Sequence, residues 1–244
     1  MEPALVFLHC FGGSGRSWNG VISALVGRRC VAPDLRGFAG AAEWVGDYTL
    51  GQFVQDLKEL VVSQNLGRHI VVGHSMGGKI ALAYAATQPP DLHSLVLIAP
   101  SPPTPEPIPA AERERLRTTH GERAAAYTTI QKITYQPLPM PLLEQAIEDI
   151  LRSSPVAWQA WLEQLSREDI SATMAKITVP ALVVVGEADT TLGADLQNQA
   201  VIPYLKAARL VTVPRAGHLL PLEDPQALVN AINIQNSMFY FSDD

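Results

Sequence analysis

The fold of this chain is decided by residues 71–78, which read Val-Val-Gly-His-Ser-Met-Gly-Gly. An apolar run over residues 69–72 predicts a buried strand, and a helical pattern follows the last glycine. Between them, Gly73-x-Ser75-x-Gly77 is typical of a sharp strand-to-helix turn that presents a nucleophilic serine. We expect a strained backbone at Ser75, and glycines beside it because side chains there would collide with the adjoining strand and helix.

Composition and charge narrow the class of protein. A hydrophobic content of 47% against 17% charged residues indicates a globular chain with a sizeable core. The net charge of −6 offers no basic surface for nucleic acid or anionic lipid. Cys10 and Cys30 lie in or beside apolar runs, which favours free thiols. Without a visible leader or a membrane-spanning run, we expect a cytoplasmic protein with no membrane partner.

Short apolar runs predict a parallel sheet of about six strands. The runs alternate with helical patterns and cover residues 4–9, 29–32, 69–72, 94–99, 180–185 and 208–213. Alternation of this kind is typical of an α/β fold with right-handed crossovers. Ligands of such sheets bind beyond the carboxyl ends of the strands, so we expect the functional site at that edge.

Residues 101–176 differ in character from the rest of the chain. Prolines are frequent around residues 100–109, and helical patterns without a strand signal run from 106 to 176. We predict an α/β core over residues 1–100 and 177–244, into which residues 101–176 are inserted as a helical cap. Residues 238–244 carry no pattern that we can interpret.

A serine hydroxyl needs a neighbouring base, and that base needs an acid to orient it. His218 follows the last predicted strand and Asp189 follows the strand before it, so both fall at the same sheet edge as Ser75. These three residues form the predicted catalytic triad. Glu187 is the main alternative acid. Three weaker alternatives are Asp195, Glu223 and Asp224, the last being better explained as a helix cap.

Acyl transfer also requires hydrogen-bond donors for a developing oxyanion. We expect them from the backbone N–H groups of Met76 and Phe11. His9 is either a brace for the Phe11 loop or an ordinary histidine at the end of a strand. His74 is wrongly placed to act as the base.

The other histidines and the remaining motifs suggest no further chemistry. His69, His93 and His120 belong to no motif and are predicted at the surface. No cluster has the spacing of metal ligands, and no glycine-rich nucleotide motif opens a helix after a strand. We therefore infer neither a metal nor another cofactor.

Five segments together resemble the α/β-hydrolase superfamily, in particular its esterase, peroxidase-like and lactonase-like branch with a helical cap. They are residues 9–14, 34–37, 73–78, 186–189 and 216–218. The resemblance implies a triad of Ser75, Asp189 and His218, in the order typical of that superfamily, and an oxyanion hole from Phe11 and Met76.

Three features depart from the family pattern. Cys10 stands where the family usually has glycine, Phe38-Ala39 replaces its His-Gly, and its first two antiparallel strands are missing. A serine at position 75 argues against the related dehalogenases and epoxide hydrolases, which resemble this chain but carry aspartate there.

We predict a serine hydrolase that acts on carboxylic esters. The predicted cap and its aromatic residues favour small to medium apolar esters over long-chain lipids. We expect Trp158, Trp161, Phe38 and Tyr127 to bind the substrate, a small molecule. The oligomeric state is not predicted.

Two other functions stay open. One is a lyase or a carbon–carbon bond hydrolase with the same triad, whose mark would be Lys79, Arg36 or Arg113 binding a substrate carboxylate. The other is a ligand receptor with slow turnover.

Overall fold

The computed structural model describes residues 2–44 and 46–237 and contains one six-stranded sheet. The strands run in the order β2-β1-β3-β4-β5-β6, and every neighbouring pair is parallel. Their bounds are β1 Ala4–Leu8, β2 Cys30–Val31, β3 His69–His74, β4 Leu92–Ile98, β5 Ala181–Gly186 and β6 Ala208–Val213. The predicted α/β fold with a parallel sheet of six strands is confirmed. Residues 238–244, which we could not interpret, lie outside the described residues.

The central strands are apolar along their whole length because both faces of the sheet are covered. Successive residues of β1 alternate between two hydrophobic clusters: Val6 and Leu8 pack on one face, and Leu5 and Phe7 on the other. β3 extends two residues beyond the predicted strand, since Gly73 and His74 still pair with Leu97 and Ile98 of β4. This extension carries the chain directly to Ser75.

Within the described part of the chain, six helices flank the sheet. Their bounds are α1 Asn19–Ala24, α2 Leu50–Ser63, α3 Met76–Ala85, α8 Ala194–Ala200, α9 Leu220–Glu223 and α10 Pro225–Ser237. α2 and α3 contribute to the cluster on one face, and α1 and α10 to the cluster on the other. The sheet is therefore the middle layer of three.

Local chemistry explains some helix ends. The hydroxyl of Thr49 accepts a hydrogen bond from the N–H of Gln52 at 3.1 Å, which is one half of a capping box at the start of α2. α8 stops at Ala200, shortly before Pro203, which has no N–H to donate. A 3-10 turn over Gly15–Trp18 leads directly into α1.

Four helices lie between β4 and β5: α4 Ala110–Thr118, α5 Arg123–Ile133, α6 Met140–Leu151 and α7 Pro155–Glu163. No strand occurs in the described residues from 101 to 176. Gly121 separates α4 from α5 and has a φ of +89°. The division of the chain into a core and a cap stays a prediction.

The two ends of this inserted segment lie side by side. The N–H of Ile170 donates to the carbonyl oxygen of Pro103 at 2.8 Å, and that of Glu106 donates to Ser166 at 2.7 Å. The buried ammonium of Lys79, on α3, donates to the carbonyl oxygens of Thr104 and Glu168. One side chain of α3 thus contacts both ends of the insertion.

Candidate active site

Ser75 lies in the turn between β3 and α3, with φ of +53° and ψ of −113°. Few non-glycine residues adopt such a backbone, and it persists only when the surroundings hold it. Here the end of β4 does so: the N–H of Ser75 donates to Ile98 at 2.9 Å, and its carbonyl oxygen accepts from Ser101 at 3.0 Å. The strained turn that the sequence predicts is present.

The two glycines that flank Ser75 are required by close backbone contacts. A Cβ atom at Gly73 would lie 2.5 Å from the carbonyl oxygen of Gly77, in the first turn of α3. A Cβ atom at Gly77 would lie 2.4 Å from the carbonyl oxygen of Leu8, at the end of β1. The backbones of β3, α3 and β1 are therefore in close contact around the Ser75 turn, and no side chain fits between them at positions 73 and 77.

Asp189 and His218 are paired and largely buried at the carboxyl edge of the sheet. Nδ1 of His218 lies 2.8 Å from Oδ2 of Asp189. The other carboxylate oxygen accepts from the N–H groups of Thr191 and Leu192 at 2.7 and 3.0 Å. Nδ1 therefore donates to an oriented carboxylate, which leaves Nε2 as the free basic nitrogen of a neutral ring.

The pKa values of the pair are shifted in opposite directions. Burial disfavours the charged form of His218, but the charge of Asp189 and its hydrogen bond outweigh burial and raise the pKa of His218. Burial likewise opposes ionisation of Asp189, yet the interaction with His218 and the two backbone N–H groups lower its pKa. The carboxylate is thus ionised and stabilises an imidazolium.

The rival acids lie elsewhere. Glu187 is exposed and accepts a long hydrogen bond of 3.4 Å from the N–H of Arg215. Asp224 accepts from the N–H of Ala227 at 2.9 Å, in the first turn of α10, which is the capping role that we expected. Asp189 is therefore the acid that contacts His218.

Glu223 contributes to the site in a way that the sequence analysis missed. Its two carboxylate oxygens accept from the N–H groups of Gly217 and Leu219, both at 3.0 Å. It also accepts from the N–H of Tyr135 at 2.7 Å. Glu223 therefore fixes the backbone on both sides of His218 and links it to the chain just beyond α5. A glutamate in the first turn of a helix can reach back to free N–H groups, and this signal was available in the sequence.

His74 also positions the His218 loop. Its Nε2 lies 2.9 Å from the carbonyl oxygen of His218 and donates to it. Burial, and secondarily the nearby His218, lower the pKa of His74 to about 3, so its ring is neutral. His74 thus supports the backbone of His218, and His218 stays the predicted base.

His9 joins the two loops that follow β1 and β2. Its Nε2 accepts from the N–H of Leu35 at 2.9 Å, so Nδ1 carries the proton and donates to the carbonyl oxygen of Cys10 at 2.8 Å. Burial lowers the pKa of His9 to about 4, which keeps the ring neutral. Of the two alternatives for His9, this geometry favours the brace.

The departure at Cys10 does not strain the loop. The left-handed conformation of this loop falls on Gly12, with φ of +70°, and Cys10 is not among the described residues of positive φ. Burial raises the pKa of the Cys10 thiol to about 12, so it remains protonated. The N–H groups of Phe11 and Met76 stay the predicted oxyanion donors: one lies in this loop, and the other is the first residue of α3.

A cavity of about 320 Å³ opens in front of these residues. Ser75 and His218 line it together with Phe11, Trp158 and Trp161. The rings of Phe11 and Trp158 are 4.1 Å apart, and those of Phe11 and Trp161 are 6.0 Å apart. The predicted tryptophans of the inserted segment therefore lie at the wall of the cavity.

Two residues predicted to bind substrate lie away from the cavity wall. Phe38 is 1% exposed and packs edge-on against His9 and Phe11, beneath the loop instead of at its surface. Tyr127 is 47% exposed on α5. An aromatic side chain can lie in the cavity wall, behind that wall or on the outer surface of the protein. The sequence shows only that the side chain is aromatic and does not indicate which of these positions it takes.

One of the histidines predicted at the surface is buried. His69 is fully enclosed and contacts the hydroxyl of Tyr84 at 2.9 Å and the carbonyl oxygen of Gly67 at 2.7 Å. The prediction was wrong because His69 opens β3, a strand covered on both faces. His120 is partly buried, with its ring 4.6 Å from that of Trp158.

Two searches of the described residues bear on cofactors and membranes. Within residues 2–44 and 46–237, no three His, Cys, Asp or Glu side chains are grouped so that they could hold a metal ion. None of the helices in the same residues combines the length and apolar character that a membrane crossing requires.

Comparison with known proteins places the chain in a family. Residues 5–231 match the model of the alpha/beta hydrolase family. The chain is 25% identical to Lipase 3 of a Moraxella species over 91% of its length and 73% of the relative. It is 27% identical to the pimeloyl-[acyl-carrier protein] methyl ester esterase of Nitrosomonas europaea, over 95% of this chain and 94% of that one.

The same architecture occurs in solved structures. Bromoperoxidase from Bacillus anthracis superposes with a TM-score of 0.88 over 97% of this chain and 92% of that one, at 19% identity. At this identity the likeness concerns the fold alone. The match of the family model spans nearly all of the residues that form the sheet and the candidate site, and the chain belongs to the alpha/beta hydrolase family.

Proposed function

We propose that this protein is a serine hydrolase that cleaves carboxylic esters through an acyl-enzyme. The observation that carries the proposal is the hydrogen bond of 2.8 Å between His218 and Asp189, beside a serine held in a strained turn at the same cavity. The two relatives described above, a lipase and a methyl ester esterase, support ester hydrolysis.

In the first half of the reaction, Nε2 of His218 removes the proton of the Ser75 hydroxyl as its oxygen attacks the ester carbonyl. Asp189 stabilises the imidazolium that forms. The N–H groups of Phe11 and Met76 donate to the oxyanion, and each such donor lowers the barrier by about 3 kcal/mol. His218 then returns the proton to the departing alcohol.

In the second half, His218 activates a water molecule that attacks the acyl-enzyme. The acid leaves, and Ser75 recovers its proton. His74 and Glu223 contact the backbone of the His218 loop and keep the imidazole in place through both halves.

The cavity supports a preference for small to medium esters. Its volume of about 320 Å³ is at the lower end of the range for small-molecule pockets. Much of its wall is apolar and includes Ile108, Leu116, Ile130 and Ile150. An acyl chain of lipid length would extend beyond such a cavity, so we expect the rate to fall with long chains.

The alternative of a lyase or a carbon–carbon bond hydrolase required cations in the pocket. Lys79 donates to two backbone carbonyl groups, Arg36 pairs with Asp56 at 2.7 Å, and Arg113 donates to the hydroxyl of Ser166 at 2.9 Å. The described wall of the cavity includes none of these three cations. Lys132, which does lie at the wall, is ion-paired with Glu112 at 3.1 Å. The geometry therefore favours ester hydrolysis over turnover of a carboxylated substrate.

The test uses p-nitrophenyl esters with acyl chains of increasing length and a fluorophosphonate probe. We expect turnover of the short esters and labelling of Ser75, both abolished in Ser75→Ala and retained in Ser63→Ala, which changes an exposed serine of α2. Very slow turnover with tight binding would favour the receptor alternative. A probe that leaves Ser75 unlabelled would exclude the proposal.

A further inference from the structure

Glu106 lies at the wall of the cavity that also contains Ser75 and His218. Its backbone is fixed, because Pro105 and Pro107 restrict the chain on either side and its N–H donates to Ser166 at 2.7 Å. The backbone that carries the carboxylate is therefore held in one place near the candidate catalytic residues.

The carboxylate of Glu106 differs from the other two at this wall. Asp149 accepts from the hydroxyl of Ser14 at 2.6 Å and from Arg16 at 2.8 Å. Glu112 is ion-paired with Arg115 at 2.8 Å and with Lys132 at 3.1 Å. Oε2 of Glu106, by contrast, is buried and has no hydrogen bond of normal geometry among the described residues, although the hydroxyl of Ser101 lies near enough to lower the pKa of the carboxyl.

A buried acceptor without a partner is costly, and the cost is removed when a ligand supplies the missing partner. Burial raises the pKa of Glu106, while the hydroxyl of Ser101 and the charges of His218, Lys79 and Arg113 act in the opposite direction. A ligand cation that reaches Oε2 would stabilise the ionised carboxylate further. Lys132, the lysine at the wall, is paired with Glu112 and does not fill this place.

The aromatic residues of the cavity suit the same kind of ligand. The ring centroids of Trp158 and Trp161 lie 4.1 and 6.0 Å from that of Phe11, so three aromatic rings are grouped at the wall. Aromatic faces attract quaternary and primary ammonium groups, and a carboxylate adds to that attraction. A substrate carboxylate would instead be repelled by Glu106.

We infer that Glu106 is a specificity-determining residue that binds a cationic ammonium group carried by an otherwise apolar ester. The inference rests on the proposed ester hydrolysis and adds the chemical class of the substrate. In this arrangement the aromatic rings contact the apolar part of the ester and the methyl groups of the ammonium. The carboxylate of Glu106 balances the charge of the ammonium.

The test compares two series of p-nitrophenyl alkanoates of equal chain lengths. One series ends in a trimethylammonium group, and the other ends in the isosteric tert-butyl group. For the best chain length we expect kcat/KM of the wild type to favour the cationic ester at least about tenfold. In Glu106→Gln this ratio should fall close to one. The ratio is the readout because loss of the Glu106 charge also lowers the pKa of His218, and that change affects both series of esters alike.

Controls separate this inference from the proposed function. Glu59→Gln removes an exposed negative charge on α2 and should keep the wild-type ratio. In Ser75→Ala, calorimetric binding of both intact esters reads the selectivity without turnover, and adding Glu106→Gln should abolish it. Turnover of neutral esters without a cationic preference would overturn the inference and leave the proposed function standing. A preference that survives Glu106→Gln, or the absence of binding by either ester to Ser75→Ala, would also overturn it.

Discussion

The backbone N–H of His218 donates a hydrogen bond of 2.7 Å to the carbonyl oxygen of Ile133, the last residue of α5. The candidate base therefore contacts the inserted helices directly. A Cβ atom at Gly217 would lie 2.7 Å from the same carbonyl oxygen, so the two segments touch without space between them. A displacement of α5 would change the position of the imidazole.

Removing the carboxylate that fixes this loop should reduce catalysis. In Glu223→Ala the N–H groups of Gly217, Leu219 and Tyr135 lose their acceptor. A misplacement of about 1 Å can cost about a hundredfold in rate, so we expect a fall of ten- to a hundredfold in kcat with a smaller change in KM. Steady-state kinetics on a short p-nitrophenyl ester measure both.

Glu223→Gln is the matched variant, since it keeps one oxygen acceptor and should recover part of the loss. Because Glu223 contributes least among the groups that raise the pKa of His218, neither variant should move the acid limb of the pH profile much. If kcat and thermal stability fall together in Glu223→Ala, and Glu223→Gln recovers neither, the role of Glu223 is purely structural.

The pH dependence should report the His218–Asp189 pair. The base acts only in its neutral form, and its pKa is raised above the ordinary value of 6.5. Activity should therefore be full at higher pH and fall as the pH drops through a midpoint above 6.5. Profiles of kcat/KM between pH 5 and 9 measure this midpoint, with the range chosen around the histidine pKa.

In Asp189→Asn the charge that raises the pKa of His218 is lost, while burial, which lowers it, remains. The acid midpoint should move to lower pH, and kcat should fall by about 10⁴, the size of loss seen when a triad carboxylate becomes an amide. Glu187→Gln, at an exposed carboxylate, should change neither quantity. An unchanged midpoint in Asp189→Asn would argue against the pairing as the source of the shift.

The glycine behind the nucleophile should be intolerant of any side chain. Gly77→Ala would place a Cβ atom 2.4 Å from a backbone oxygen of β1. Backbone atoms cannot move aside as the end of a flexible side chain could. We expect a loss of about 3 kcal/mol in the free energy of unfolding, or failure to fold. Urea denaturation of purified protein measures it.

Gly51→Ala is the matched control within α2, where the nearest atom to the new Cβ is 3.9 Å away. Alanine is the better helix former, so this variant should gain up to about 1 kcal/mol. Similar stabilities of the two variants would contradict the close contact at Gly77.

The buried lysine should give stability an unusual dependence on pH. Burial lowers the pKa of Lys79 from 10.5 to about 8, so the folded protein releases this proton at a lower pH than the unfolded chain does. Between those two values the unfolded chain binds more protons, and the contribution of Lys79 to stability should rise with pH. Below pH 8 both states are protonated and its contribution is constant.

Lys79→Met removes this titration. The stability difference between the wild type and this variant should shift in favour of the wild type as the pH rises from 8 towards 10. Urea denaturation of both proteins at a series of pH values measures the difference. If the free energies of unfolding of the two proteins differ by a constant amount between pH 8 and 10, Lys79 does not titrate as predicted.

The sheet and the serine turn could be predicted from the sequence because their signals are local. An apolar run of strand length, followed by glycines at fixed spacing and a helical pattern, determines the course of β3 and α3. Asp189 and His218 could be predicted because parallel strands bring their carboxyl ends to one edge.

The remaining details depend on contacts between distant residues. Glu223 and Tyr135 are 88 positions apart, and no periodicity connects them. The same holds for the orientation of Phe38, whose ring lies beneath Phe11 instead of in the cavity. The local pattern indicated that the side chain is apolar, but only the packing of the inserted helices decided which apolar residues face the cavity.

The neighbouring ends of the inserted segment carry an evolutionary consequence. Because Pro103 and Ile170 are joined by a backbone hydrogen bond, the chain leaves the sheet and returns to it at nearly the same point. Whatever lies between can lengthen, shorten or be exchanged without altering strand order. Variation in this segment can therefore change the cavity wall without rearranging the sheet, provided that Ile133 and Tyr135 keep their contacts with the His218 loop.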